Sequence, residues 1–315
     1  MPSKSIEALI RKVVAAAMAA PLIGACAPPP RDSCSDYEPY PYKIGLPYIV
    51  QLDAGVLALD GGHCGVFCGN GNASCTRITT DAGDPAVSCQ NHCVGRPPTG
   101  LVLEPSRASC DVGAQLAQMA ALEAASVTSF LRLARELSAH RAPASLVAAA
   151  TRSAADERRH ARSIRRLALA HGSARIRFAP ISRSIRPLAQ VALENAVSGC
   201  VLETYGAVEG AWQATHAADP SVRRAMRRIA PDEARHAALA WRVDAWAQRR
   251  LSRAVRRQLD QAKREALAGL TRSSSPPAVA ARLGLPNPAA RSLLLSALAH
   301  ALRVPWPHAF VELDG

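Results

Sequence analysis

One six-residue phrase occurs twice in this chain, as Asp156-Glu157-Arg158-Arg159-His160-Ala161 and as Asp232-Glu233-Ala234-Arg235-His236-Ala237. Each copy contains Glu-x-x-His, and residues i and i+3 of an α-helix project from one face. The flanking apolar residues keep helical spacing. Leu146, Ala150, Glu157, His160, Ile164 and Leu167 share one stripe, and Val222, Met226, Ile229, Glu233, His236 and Ala240 share another. An ionised carboxylate on a buried stripe is costly unless something compensates it, and a metal ion is the usual compensation. Two such helices, each accompanied by a helix that donates one more Glu, make the ligand set of a carboxylate-bridged di-metal site in a four-helix bundle.

The periodicity supplies the four helices. Asp111 is placed to cap a first helix running to about His140, with Leu116, Met119, Glu123, Val127, Phe130, Ala134 and Leu137 on one stripe. Arg141-Ala142-Pro143 ends it, and a second helix runs from about Ala144 to His171. Residues 172–186 form a crossover long enough to span a bundle. A third helix occupies about 187–217, Asp219-Pro220 turns the chain, and a fourth runs over about 221–250. The expected fold is mainly α: two helical hairpins joined by one long crossover over residues 111–250, with accessory helices in 251–315 packed outside. On the first helix Glu123 is the only acid of the inner stripe. The third offers Glu194, Glu203 and Glu209. Ligands on paired helices must sit at one height, and Glu203 lies about sixteen residues before its turn while Glu233 lies about twelve beyond it. Glu194 is too far from the turn and Glu209 too close.

These residues resemble the ferritin-like di-iron carboxylate superfamily, which includes ferritins, rubrerythrins and the soluble carboxylate di-iron oxygenases. The resemblance covers residues 111–250, and six ligand positions match it: Glu123, Glu157, His160, Glu203, Glu233 and His236. The Asp-Glu-x-Arg-His form is most similar to the desaturase branch. That likeness implies that Asp156 supports His236 and Asp232 supports His160, fixing each imidazole. It also implies two iron ions, with manganese a workable substitute for an oxygen-dominated ligand set that lacks thiolate. The implied activity is an oxidoreductase using dioxygen or peroxide, with Glu203 or Glu123 as the carboxylate that shifts. No Cys-x-x-Cys module is present, so electrons would come from an outside donor that the sequence does not name. The alternative is a structural or binding protein that keeps the bundle without turnover, favoured if an arginine or lysine fills the cavity. Tyr205 and Trp212 are read as core aromatics rather than electron relays. Cys200 is read as a packed thiol or a disulfide partner rather than a ligand.

The N-terminus reads as an export signal. Lys4, Arg11 and Lys12 precede an apolar run over residues 13–24, too short for a good membrane span. Leu22-Ile23-Gly24-Ala25-Cys26 resembles a bacterial lipoprotein signal, which implies a signal peptide over 1–25 and a lipid on Cys26 that anchors the chain to the cell envelope. A Pro-rich tether follows at 26–33. Of nine cysteines, Cys26 leaves eight, and seven of these lie in the Gly-, Pro- and Asn-rich stretch 34–110. That region is expected to be a small disulfide-stapled module with a few short strands. The formal net charge of +13 is carried mostly by arginine runs. In an exported chain these are solvated helix faces rather than a nucleic-acid surface.

Overall fold

The computed structural model describes residues 8–10, 12–15, 49–51, 74–79, 85–90, 96, 108–174, 177, 184–270 and 275–302. Cys26, the tether and most of the cysteine-rich stretch lie outside the described residues. The chain is mainly helical. Three short strands precede the helices: β1 (Ile49–Gln51), β2 (Ser74–Thr79) and β3 (Pro85–Gln90), an antiparallel sheet in the order β1-β3-β2 whose register sets Cys75 opposite Cys89. Cys110 is disulfide-bonded, and Cys200 is a buried free thiol.

Helix α1 (Asp111–Ala139) and helix α2 (Ala144–Ala170) form the first hairpin. Asp111 was expected to cap α1. Instead Cys110 does so, its Sγ accepting from the Gly113 amide at 3.4 Å, and Asp111 lies in the first turn, where its charge suits the helix dipole. Arg141 turns the chain at a left-handed φ of 56°. The expected third helix is three pieces in line: α3 (Leu188–Glu194), a π-helical segment (Asn195–Glu203) and α4 (Thr204–His216). Asp219 then caps helix α5 (Pro220–Gln248), its Oδ1 accepting from the Ser221 and Val222 amides. The π segment and α4 pack on α5, and α5 packs on α2, so the two hairpins meet through the helices that carry the repeated phrase.

The tail supplies α6 (Arg253–Gly269), α7 (Pro277–Leu283) and α8 (Pro288–Leu302). They seal the hairpins from outside: Leu259, Leu267, Leu283 and Leu294 are all buried against residues of the four long helical runs. Residues 8–10 and 12–15 are helical, and Ile10, Val13 and Val14 of the expected export signal are buried with Ala207, Val208, Trp212 and Leu294. Among the described residues no helix is long and apolar enough to cross a membrane.

The core has a layered plan. One apolar cluster joins the start of α1 to the end of α2 and the start of α5 through Leu116, Ile164, Val222 and Ile229. Another joins the opposite ends through Phe130, Leu137, Leu146, Val243 and Trp246. The acids and histidines of the repeated phrases fall between these two layers, held by packing on both sides.

Candidate metal centre

Four helical runs each send acids or histidines into that middle layer. The structure brings all six candidate ligands together in two overlapping groups: Glu123, Glu157, His160 and Glu233 form one, and Glu157, Glu203, Glu233 and His236 the other. Within each group the ligand atoms lie within 4.8 Å of one another. Glu157 and Glu233 belong to both. Each Glu-x-x-His therefore contributes one acid to the centre of the cage and one histidine to one end, while Glu123 and Glu203 close the two ends.

Both imidazoles turn the same nitrogen inward. His160 Nδ1 lies 3.0 Å from Glu233, 3.6 Å from Glu123 and 3.8 Å from Glu157. His236 Nδ1 lies 3.1 Å from Glu157, 3.5 Å from Glu233 and 3.8 Å from Glu203. The outward nitrogens meet the aspartates of the opposite phrase: His160 Nε2 with Asp232 at 3.1 Å and His236 Nε2 with Asp156 at 3.4 Å. Arg159 bridges Asp156 at 2.5 Å and Asp232 at 3.2 Å, and Arg235 bridges Asp232 at 2.5 Å and Asp156 at 3.4 Å. The two arginines are about half exposed, so this four-residue lattice lids the cage at the protein surface.

The electrostatics are those of a cage short of positive charge. Burial pushes Glu157 well above the usual carboxylate range, and its neighbours Glu123 and Glu233 push it further. Burial and Glu233 do the same to Glu203. Burial opposes protonation of His160, yet Glu123 and Glu233 raise it to about 11; His236 is raised in the same way by Glu233 and Asp156. Glu233 is held low, because the two histidines outweigh its burial. Asp156 is held down to about 2 against its burial by His236 and Arg159. The raised acids and histidines favour holding protons, with which a bound cation would compete.

The unsatisfied atoms point to the same conclusion. Glu157 Oε2, both oxygens of Glu203, Glu233 Oε1 and the Nδ1 atoms of both histidines are buried, and although each Nδ1 stands at ion-pair distance from the acids, none of these atoms makes a well-aligned hydrogen bond. Six orphaned acceptors and imidazole nitrogens facing one space are costly in a finished core, and metal ligation would satisfy all of them. The donor set fits two divalent ions: four carboxylates offset a charge of +4, and each end offers one neutral nitrogen.

The competing acids are accounted for elsewhere. Glu194 accepts from Arg132 at 2.7 Å and from Arg186 at 2.8 Å, which hold it down to about 2 against its burial. Glu209 is buried and pushed up by burial, offset by Arg291 and Tyr205. Cys200 packs against the Asn195 amide at 3.7 Å and joins neither group. Tyr205 and Trp212 are buried in apolar clusters, and Trp212 stacks on His216 at 3.7 Å. Sequence reasoning missed Arg96, which is 1% exposed beside the π segment and has the Phe130 ring 5.5 Å from its guanidinium carbon. Its hydrogen bond goes to Asn195 rather than to a cage carboxylate. Its only sequence signal is a basic residue amid turn-formers, which marks a loop and not an insertion. Comparisons with protein families, curated proteins and solved structures found no match to this chain.

Proposed function

We propose that this protein is a ferritin-like di-metal protein holding two iron ions, and that it reduces dioxygen or peroxide with electrons from an external donor. The observation that carries the reading is the sharing of Glu157 and Glu233 between two four-residue groups that each hold one histidine. Isolated surface acids do not produce that symmetry, and a single-ion site does not need it. Two ferrous ions held by these residues would supply electrons for reduction of an O–O bond, to be restored by the external donor.

The residues divide the work. Glu157 and Glu233 belong to both groups and would be the ligands common to the two ions. Asp232 and Asp156 fix the rings of His160 and His236 so that each Nδ1 is already aimed inward, which lowers the cost of assembling the site. Access is one-sided. The Glu123 side chain is 19% exposed, whereas those of Glu157, Glu203 and Glu233 are at most 9% exposed. Glu123 is therefore the carboxylate with the most room to move, and a small oxidant would approach from its side. The apolar layers above and below exclude water from the rest.

A second reading, metal binding without turnover, is favoured by the buried guanidinium of Arg96 near Glu203, which disfavours any rise in metal charge. Oxygen and peroxide electrodes separate the two. Fe(II)-loaded protein is expected to consume one of these oxidants, and Glu157→Ala to consume neither. Two bound irons with no consumption would sink the oxidoreductase reading and leave the binding one.

A further inference from the structure

Glu203 reaches the cage from a peculiar piece of backbone. It is the last residue of the π segment Asn195–Glu203. A π turn is wider than an α turn and rotates every following side chain to a different face, so it persists only where something holds it. The segment's own residues do little: two of its nine are Gly199 and Ser198, and Cys200 contributes only a weakly paired thiol.

What fills the space is Arg96, 99 residues away in sequence from Asn195. Its Nη1 donates to Asn195 Oδ1 at 3.1 Å, and Asn195 Nδ2 in turn donates to the Ala240 carbonyl of α5 at 2.9 Å. A Cβ on Gly199 would stand 2.6 Å from Arg96 Nη1 and 2.8 Å from Ala240 Cβ, so the glycine is the gap that admits the guanidinium. The other face of Arg96 lies over Phe130, whose ring centroid is 5.0 Å from that of His236. One buried arginine thus touches the first residue of the π segment, its central glycine and the ring beside a cage histidine. Burial disfavours the charge of this guanidinium, and attraction to Glu194 and Glu203 offsets part of that cost.

We propose that Arg96 is a positioning residue for the candidate centre: by filling the gap at Gly199 and tying Asn195 to α5, it holds the π segment in the register that aims Glu203 inward. Arg96 is then part of the site rather than a bystander to it. This inference rests on the di-metal reading.

The test is Co(II) titration of the full chain, read by equilibrium dialysis, with Arg96→Met and Asn195→Ala as variants that break the contact from its two sides. Each is made in a Glu123→Ala background, where only the Glu203 side is left to bind, and in a Glu203→Ala background, where only the Glu123 side is left. Co(II) affinity is expected to fall at least ~10-fold in the first background and to stay within a factor of about two in the second. Arg96→Lys, which keeps charge and stem, is expected to recover part of the loss. Equal weakening in both backgrounds means that Arg96 merely supports the fold, and overturns the proposal. So does unchanged affinity in the first. A parent chain that fails to bind two Co(II) overturns the di-metal reading itself, and this inference falls with it.

Discussion

Alanine at Glu157 or Glu233 is expected to abolish binding of both metal ions, whereas Glu123→Ala or Glu203→Ala removes only one. The difference follows from membership: the first two acids belong to both four-residue groups and the others to one each. Loss of an outer residue that orients a ligand costs about 10–100-fold in metal affinity, so loss of a shared ligand should cost at least ~100-fold at each position. Stability should move the other way. In the metal-free protein Glu157 is buried among acids, with one oxygen unsatisfied and its proton held on by Glu123 and Glu233. Glu157→Gln, similar in shape and uncharged, is expected to leave the melting temperature unchanged or raise it, while binding no metal tightly. That inverse relation marks a site kept for function at a cost in stability. Isothermal titration with Mn(II) and thermal melts of the same samples check both halves. A Glu157→Ala protein that still binds two ions would mean the bridge is not there.

The second large effect lies outside the cage. Arg186→Ala is expected to destabilise the fold by about 3–5 kcal/mol, lowering the melting temperature on the order of 10 °C. Arg186 closes the crossover against α1 and α3: its Nε and Nη2 donate to Glu136 at 2.7 and 2.9 Å, and its Nη1 to Glu194 at 2.8 Å. Glu136 is fully buried, so the variant strands it without a cation. Arg132 still serves Glu194. The pH dependence has a definite sign. Glu194 is held at about 2, below its ordinary value near 4.5, so its contribution is complete at neutral pH and is lost as pH falls through that interval. The parent should therefore lose stability on acidification, and the variant, having lost part of the pairing, should lose less. Melts at neutral pH and near pH 3 measure both. A melting temperature within about 2 °C of the parent would show that the network stabilises nothing.

Much of the layer that holds the candidate ligands was legible because helical periodicity and ligand spacing are local properties. Glu-x-x-His needs only the 3.6-residue repeat, and the choice of Glu203 over Glu194 and Glu209 needs only a count along two paired helices. The pairing of each aspartate with the opposite histidine came from resemblance, and the two hydrogen bonds stand at 3.1 and 3.4 Å. What escaped is long-range or subtle. No composition signal distinguishes a π turn from an α turn over residues 195–203, since both keep side chains on a helical surface. Arg96 reaches its place from a stretch whose residues say only that the chain turns there. Cys110 displaced Asp111 as the cap of α1 because its sulfur, one residue earlier, already accepts from the Gly113 amide. The burial of Ile10, Val13 and Val14 against α4 and α8 likewise depends on a surface that the four-helix pattern does not describe.

The central claim is that this cage holds two metal ions, and the direct measurement is metal content per chain after purified protein is supplied with Fe(II) without oxygen and freed of loose metal. The account predicts about two irons per chain. A ratio near zero, with the six side chains in place and the fold intact, would contradict it.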